Sequence, residues 1–311
     1  MKRTSINAFA RAQSRARLQR FVTQAGRASR HPQDPEAIHA LRVSIRRFTQ
    51  CLRTFRGVFD VRPLKKLQRR LRKLMDACAA VRTCDVALEV LREAGVDQGR
   101  SPALIAKLAA ARTEAEQGLR EHLAKLRRRK AVDWELEWQT PGQPEFQADG
   151  EWDLEQDLPA NLRRVLPKLA EDFFAMGVGA AAAGDNHEAL HHFRLRTKRF
   201  RYTLELFRGA YGAAWERGLQ ALKGLQDRLG AINDCVCTIE FMGQENAQDR
   251  RAAAAVKRLL LRREADFQAY WQTEFAPEKQ AWGEGWLGAP AGLHVRVSAR
   301  RRGAARGRTS E

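Results

Sequence analysis

The feature that most constrains the fold is an internal repeat. With His39 set against His191, Glu36 meets Glu188, Arg42 meets Arg194, Arg46 meets Lys198, Arg47 meets Arg199, Phe48 meets Phe200, Leu52 meets Leu204 and Phe55 meets Phe207. Further on, Leu71-Arg72-Lys73-Leu74-Met75-Asp76 parallels Leu222-Lys223-Gly224-Leu225-Gln226-Asp227, and Val81-Arg82 parallels Ile232-Asn233 in the next turn. Matches that keep their order and spacing across two halves mark a duplicated structural unit. Two copies of one unit pack about an approximate two-fold axis, so the fold follows from what the unit is.

The unit is helical. A helix turns about 100° per residue, so with His39 as origin Arg42, Arg46 and Arg53 fall within an arc of about 60° beside it. Leu41, Ile45, Phe48, Leu52 and Phe55 gather on the opposite side, an apolar face to bury beneath an outward basic stripe. In the second copy His187, His191, Arg194, Lys198 and Arg201 form the stripe, Phe193, Phe200, Leu204 and Phe207 form the apolar face, and Tyr202 lies near the stripe, within reach of a ligand or neighbour.

The turn signals cut the chain into eight predicted helices, roughly 4–29, 35–59, 62–95, 101–130, 154–178, 185–210, 213–243 and 246–273. Asp34-Pro35 reads as an N-cap followed by proline at the first helical position. Asp185 with Glu188 reads as a capping box, and Gly57, Gly95, Gly99 and Gly212 stand where helices should stop. Strand-like alternation is confined to Leu293–Val297. The expectation is an all-α chain of two pseudo-symmetric four-helix bundles with long antiparallel helices, residues 1–132 and 154–275. Between them, 133–153 holds Trp134, Trp138, Pro141, Pro144 and Trp152 with only acidic charges, and reads as a linker whose tryptophans pack back on a bundle. Residues 276–311 read as a basic, unstructured tail.

Charge narrows the partner. There are 56 Lys+Arg against 37 Asp+Glu, a formal net charge of +19, which attracts polyanions. Nucleic acid, an anionic membrane and polyphosphate all qualify on composition alone. Cys51, Cys78, Cys84, Cys235 and Cys237 form no CxxC pair and are odd in number, which argues against a disulfide framework or a structural zinc site. No stretch approaches the roughly 20 apolar residues of a membrane span. The acid-free, Arg-rich stretch before Asp34 has the look of an organelle transit peptide, but the repeat gives that helix a structural place, and a cytoplasmic protein is expected.

The stripes carry the functional signal. Solvated helix faces ordinarily mix signs, yet no acid occurs from His39 through Phe59. Like charges a turn apart cost some tenths of a kcal/mol per pair, and an anionic ligand offsets that. Glu205 is the exception in the second stripe, placed to orient a neighbouring base.

Three segments resemble one known family, CHAD, the conserved histidine α-helical domain. They are His39-Ala-Leu-Arg42-Val-Ser-Ile-Arg46-Arg47, His191-His-Phe-Arg194-Leu-Arg-Thr-Lys198-Arg199-Phe-Arg201-Tyr202, and Leu222-Lys223-Gly-Leu-Gln226-Asp227-Arg-Leu229-Gly230-Ala-Ile-Asn233-Asp234. The resemblance implies two helical bundles whose basic surfaces converge on a central groove, inorganic polyphosphate as ligand, localisation to polyphosphate granules, and phosphate-metabolising enzymes or granule proteins as partners. The candidate contacts it marks, together with the stripes, are His39, Arg42, Arg46, Arg47, Lys73, His191, Arg194, Lys198, Arg199, Arg201, Tyr202 and Lys223. Arg11, Arg15, Arg69 and His187 are additional candidates. The first half departs from the family pattern at Ala79, where glycine is usual, and at Arg82-Thr83, where Arg-Asp is usual; Asp85 follows two residues later. Some family members are fused to or act near triphosphate-processing CYTH domains, but Glu135-Leu-Glu137 does not continue into that motif.

Rival readings are weaker. His187-Glu188-Ala-Leu-His191 is a literal HExxH, the zinc-protease helix motif, but Arg194 and Lys198 stack beside His191 and oppose a dication, and Glu188 serves as a cap residue. A nucleic-acid binder fits the charge without any helix-turn-helix, zinc-finger or RRM signature. A scaffold for a phosphate enzyme is compatible with anion binding. No nucleophile triad or Gly-rich phosphate loop is present, so no catalytic residue, cofactor or metal is expected.

Overall fold

The computed structural model describes residues 5–97, 99, 101–128, 152–153, 156–184, 186–211, 215–242 and 247–275. Among them the chain forms α1 (Ile6–Arg30), α2 (Pro35–Thr54), a 3-10 turn (Arg56–Val58), α3 (Val61–Glu93), α4 (Pro102–Arg128), α5 (Leu158–Ala182), α6 (His187–Tyr211), α7 (Glu216–Met242) and α8 (Ala247–Phe275). The fold is all-α, as the periodicity predicts. Trp134, Trp138 and the tail from 276, with Leu293–Val297, lie outside the described residues.

Local chemistry sets the helix starts. Ser5 caps α1, accepting from the Ala8 N–H at 3.2 Å. Asp34 caps α2 ahead of Pro35, Asp60 caps α3 by accepting from the Arg62 N–H, and Asp157 caps α5 by accepting from Ala160. Each satisfies an N–H the helix cannot pair internally. The cap of α6 is Asn186, whose Oδ1 accepts from Ala189 at 3.0 Å; Asp185 lies outside the described residues. Two helix ends differ from expectation. The second helix is expected to reach residue 59, but it stops at Thr54, and a 3-10 turn over Arg56–Val58 follows between the buried Phe55 and Phe59. The third helix stops at Glu93, where Gly95 takes a φ of 76° and lets the Val96 N–H reach back to the Leu91 carbonyl.

Helices α1, α2, α3 and α4 neighbour one another in a closed ring, and so do α5, α6, α7 and α8. The rings meet where α2 packs on α6 and α3 on α7, the pairs that the repeat makes equivalent. The core runs through this junction. Phe9 stacks on Phe207 at 5.6 Å, and Trp152, the described tryptophan of the acidic segment, lies 5.7 Å from Phe55 and 5.2 Å from Phe207. It therefore packs on both halves. Gln50 donates to the Thr203 hydroxyl at 3.0 Å in the buried interface, and an isolated antiparallel bridge joins the two cap residues Ser5 and Asp157.

Candidate functional site

The junction of α2 with α6 puts the two basic stripes face to face. Their apolar sides, with Phe48, Phe193 and Phe200, are buried in the core, so their cations point into the seam between halves. Arg42 and Arg46 from α2 meet Arg194 and Lys198 from α6, with Arg82 of α3 alongside and Asp234 of α7 facing them.

The cluster is short of partners. Arg42 Nη1, Arg46 Nε and Arg194 Nε are buried without a hydrogen-bond acceptor, and among the described residues Lys198 makes no ion pair. Buried donors are nearly always satisfied in a native protein, and leaving one unpaired costs about 1–3 kcal/mol. Burial, reinforced by Arg46, Arg82 and Arg194, pulls the Arg42 guanidinium down to about 10. Burial acts hardest on Lys198: together with repulsion from Arg194, Arg46 and Arg42, and against the opposing pull of Asp234, it brings the ammonium down to about 6. Burial also lowers Arg194, partly offset by Asp234, and raises the Asp234 carboxyl against the pull of Arg194, Lys198, Arg82 and Arg263.

The other expected contacts divide into three groups. His39 stands at the rim, its imidazole lowered by burial and by Arg46, Arg82 and Arg42 against Glu36. His191 Nδ1 lies 2.8 Å from Asn233 Oδ1. Lys73, Arg69, Arg11 and Arg15 are exposed, with Arg11 donating to Asn7 at 2.8 Å, and Arg199 faces Arg53. The third group is engaged with protein carboxylates or buried. Arg47 Nε and Arg201 Nη1 both donate to Glu205, at 2.9 and 2.7 Å, Arg201 Nε also donates to Gln226 at 3.0 Å, and Lys223 pairs with Asp227 at 3.0 Å. Tyr202, only 5% exposed, lies behind the stripe, where it acts on Arg194. Glu205 does orient neighbouring bases, one from each half.

That link makes a stability prediction. Replacing Glu205 by Gln leaves Arg47 and Arg201 without their shared counter-ion; since Arg47 is 38% exposed, the cost is about 2 kcal/mol, below the range of a fully buried pair. Urea denaturation checks it, and an unchanged midpoint would show that the pairing is idle.

The HExxH residues do not converge. His187 Nε2 lies 2.9 Å from Glu264 Oε1 while His191 turns to Asn233, and among the described residues no group of three or more His, Cys, Asp or Glu side chains is placed to hold a metal. Sequence reasoning placed Arg53 on the first stripe but missed Arg82 and Arg72 as parts of the basic seam. Hairpin arithmetic could have found them: α2 and α3 run antiparallel from the turn near Asp60, so Arg42 meets Arg82 and Arg53 meets Arg72.

An all-α repeat with one cationic seam between its halves is the class these observations define. The chain belongs to the CHAD domain family, whose model matches residues 12–243. Its fold is similar to the CHAD domain from the plant Ricinus communis, at TM-score 0.60 and 23% identity over 94% of this chain and 95% of that one. It is also similar to PptA from Streptomyces chartreusis, at TM-score 0.58 and 19% identity over 86% of this chain and 100% of that one. No curated protein matches the sequence. Among the described residues no helix is long and apolar enough to cross a membrane.

Proposed function

We propose that this protein binds inorganic polyphosphate in the seam between its halves and catalyses no reaction on it. Arg42, Arg46, Arg82, Arg194 and Lys198 supply the charge, His39 and His191 flank it, and Arg47 and Arg201 hold the halves in register. One observation carries the reading: guanidinium nitrogens from both halves are buried side by side without acceptors. Phosphate oxygens are the acceptors that suit them, since arginine binds phosphate bidentately and lysine acts as a point charge. A polyphosphate chain repeats its charge at every unit and offers no base to stack. The seam matches it, because Phe48, Phe55, Phe193, Phe200 and Phe207 are buried in the core and among the described residues offer no aromatic platform there for nucleic acid. Family membership supports the same ligand, and with it recruitment to polyphosphate granules in the cytoplasm.

Titration with polyphosphates of graded length tests this. Affinity should rise with chain length, and for about eight neutralised phosphates log affinity should fall against log salt with a slope near −5 to −6, taking about 0.7 per contact as for single strands. A flat salt dependence, or preference for DNA or RNA at equal phosphate concentration, would overturn the reading.

A further inference from the structure

The repeat makes the two halves equivalent in fold but not in charge. At the turn near Asp60 the first half carries Arg53 at the end of α2, facing Arg72 of α3 and Arg199 of α6. The start of α3 then holds seven cations and no acid between Val61 and Met75. With Arg72 as origin, Lys65, Arg69 and Lys73 fall within an arc of about 100° on one side of the helix, and all four are exposed. They form a strip about 12 Å long that begins beside the seam and runs toward the start of α3.

The corresponding positions of the second half are closed. Arg53 corresponds to Glu205, which is committed to Arg47 and Arg201. Lys65 corresponds to Glu216, which pairs with Arg208. Arg69 and Lys73 correspond to Gln220 and Gly224. Lys223, the equivalent of Arg72, pairs with Asp227, whereas Asp76, the equivalent of Asp227, makes no ion pair among the described residues. Even within the seam, Thr83 stands where the second half has Asp234. At each of these substituted positions the first half is the more positive.

We propose that a long linear polyanion leaves the seam on one side only, along α3, where Arg53, Arg72, Arg69, Lys73 and Lys65 form an auxiliary track for it. This rests on the polyphosphate reading of the seam and adds a direction to it. A short oligophosphate is satisfied by the seam alone. A long chain continues onto α3, because the matching positions of α7 carry the carboxylate of Glu216 and no cation at Gln220 and Gly224. The track, not the seam, then sets the preference for length.

The test compares K65Q/R69Q/R72Q/K73Q with R217Q/K223Q on α7, using tripolyphosphate and long-chain polyphosphate as probes and circular dichroism to confirm that both variants fold. Glutamine keeps helix propensity, and the altered side chains are exposed. The α3 variant should lose at least about tenfold in affinity for the long chain, and its salt slope should become shallower by about 3, or 0.7 for each contact removed. Its affinity for tripolyphosphate and the long-chain affinity of the α7 variant should stay within about twofold of the parent, since neither probes the removed contacts. Unchanged long-chain binding by the α3 variant, or an equal loss in the α7 variant, overturns the one-sided track. A parent protein that binds neither probe defeats the polyphosphate reading itself, so the two failures are distinguishable.

Discussion

Replacing Arg42, Arg46, Arg194 and Lys198 together by alanine should abolish most polyphosphate binding while leaving the protein folded and no less stable. Each side chain stands to make charge-assisted contacts worth about 1.5–3 kcal/mol. Even with strong non-additivity, a loss of affinity of at least about a thousandfold is expected. Stability should move the other way because the free seam is strained. Arg42 Nη1, Arg46 Nε and Arg194 Nε are buried without acceptors, and the four groups repel one another across the halves. Alanine removes the unmet donors and the repulsion, at the expense of the packing made by the aliphatic stems. Calorimetric titration and thermal melting read both quantities on the same sample. A variant that still binds long chains like the parent would mean that the ligand sits elsewhere; one that melts well below the parent would mean that the cluster supports the fold.

How much of this was legible in the sequence depends on distance along the chain. The helices and the sides on which Phe48 and Arg42 lie follow from periodicity, which is local. The repeat identifies α2 with α6 and α3 with α7, and an approximate two-fold requires equivalent helices to meet, so the approach of Arg46 to Lys198 was within reach. What could not be read is which stripe residues are already spent. Glu205 and Asp227 sit a helical turn from Arg201 and Lys223, but one-dimensional spacing does not reveal that Glu205 also takes Arg47 from the other half. Tyr202 shows the same limit. Helical angle puts it near the stripe, and only tertiary packing decides that it is buried. The charge asymmetry between the halves was present in the aligned repeat throughout; it gained meaning once Arg53, Arg72 and Arg199 were seen to adjoin one another.

Lys198 should make both stability and binding depend on pH in a defined window. Burial and repulsion from Arg194, Arg46 and Arg42, against the opposing pull of Asp234, hold the folded-state ammonium at about 6, against an ordinary value of 10.5. Between those values the unfolded chain binds more protons than the folded one, so the stability of the free protein rises with pH, by up to about 1.4 kcal/mol per pH unit from this group. Phosphates placed beside Lys198 reverse the balance. They favour the charged ammonium, so complex formation at pH 8 should take up roughly one proton. The neighbouring groups do not mimic this: Cys78 is pushed up to about 12, and Arg42 at about 10 remains charged. His39 is lowered by burial and by Arg46, Arg82 and Arg42, away from pH 8. Titrations at pH 8 in two buffers of different ionisation enthalpy count the protons directly. K198M, which keeps the stem and removes the amine, should erase both the uptake and this part of the pH dependence of unfolding. Equal apparent enthalpies in the two buffers would mean that Lys198 is already charged in the free seam. The repulsion that makes the unliganded site receptive would then have to reside in the arginines alone.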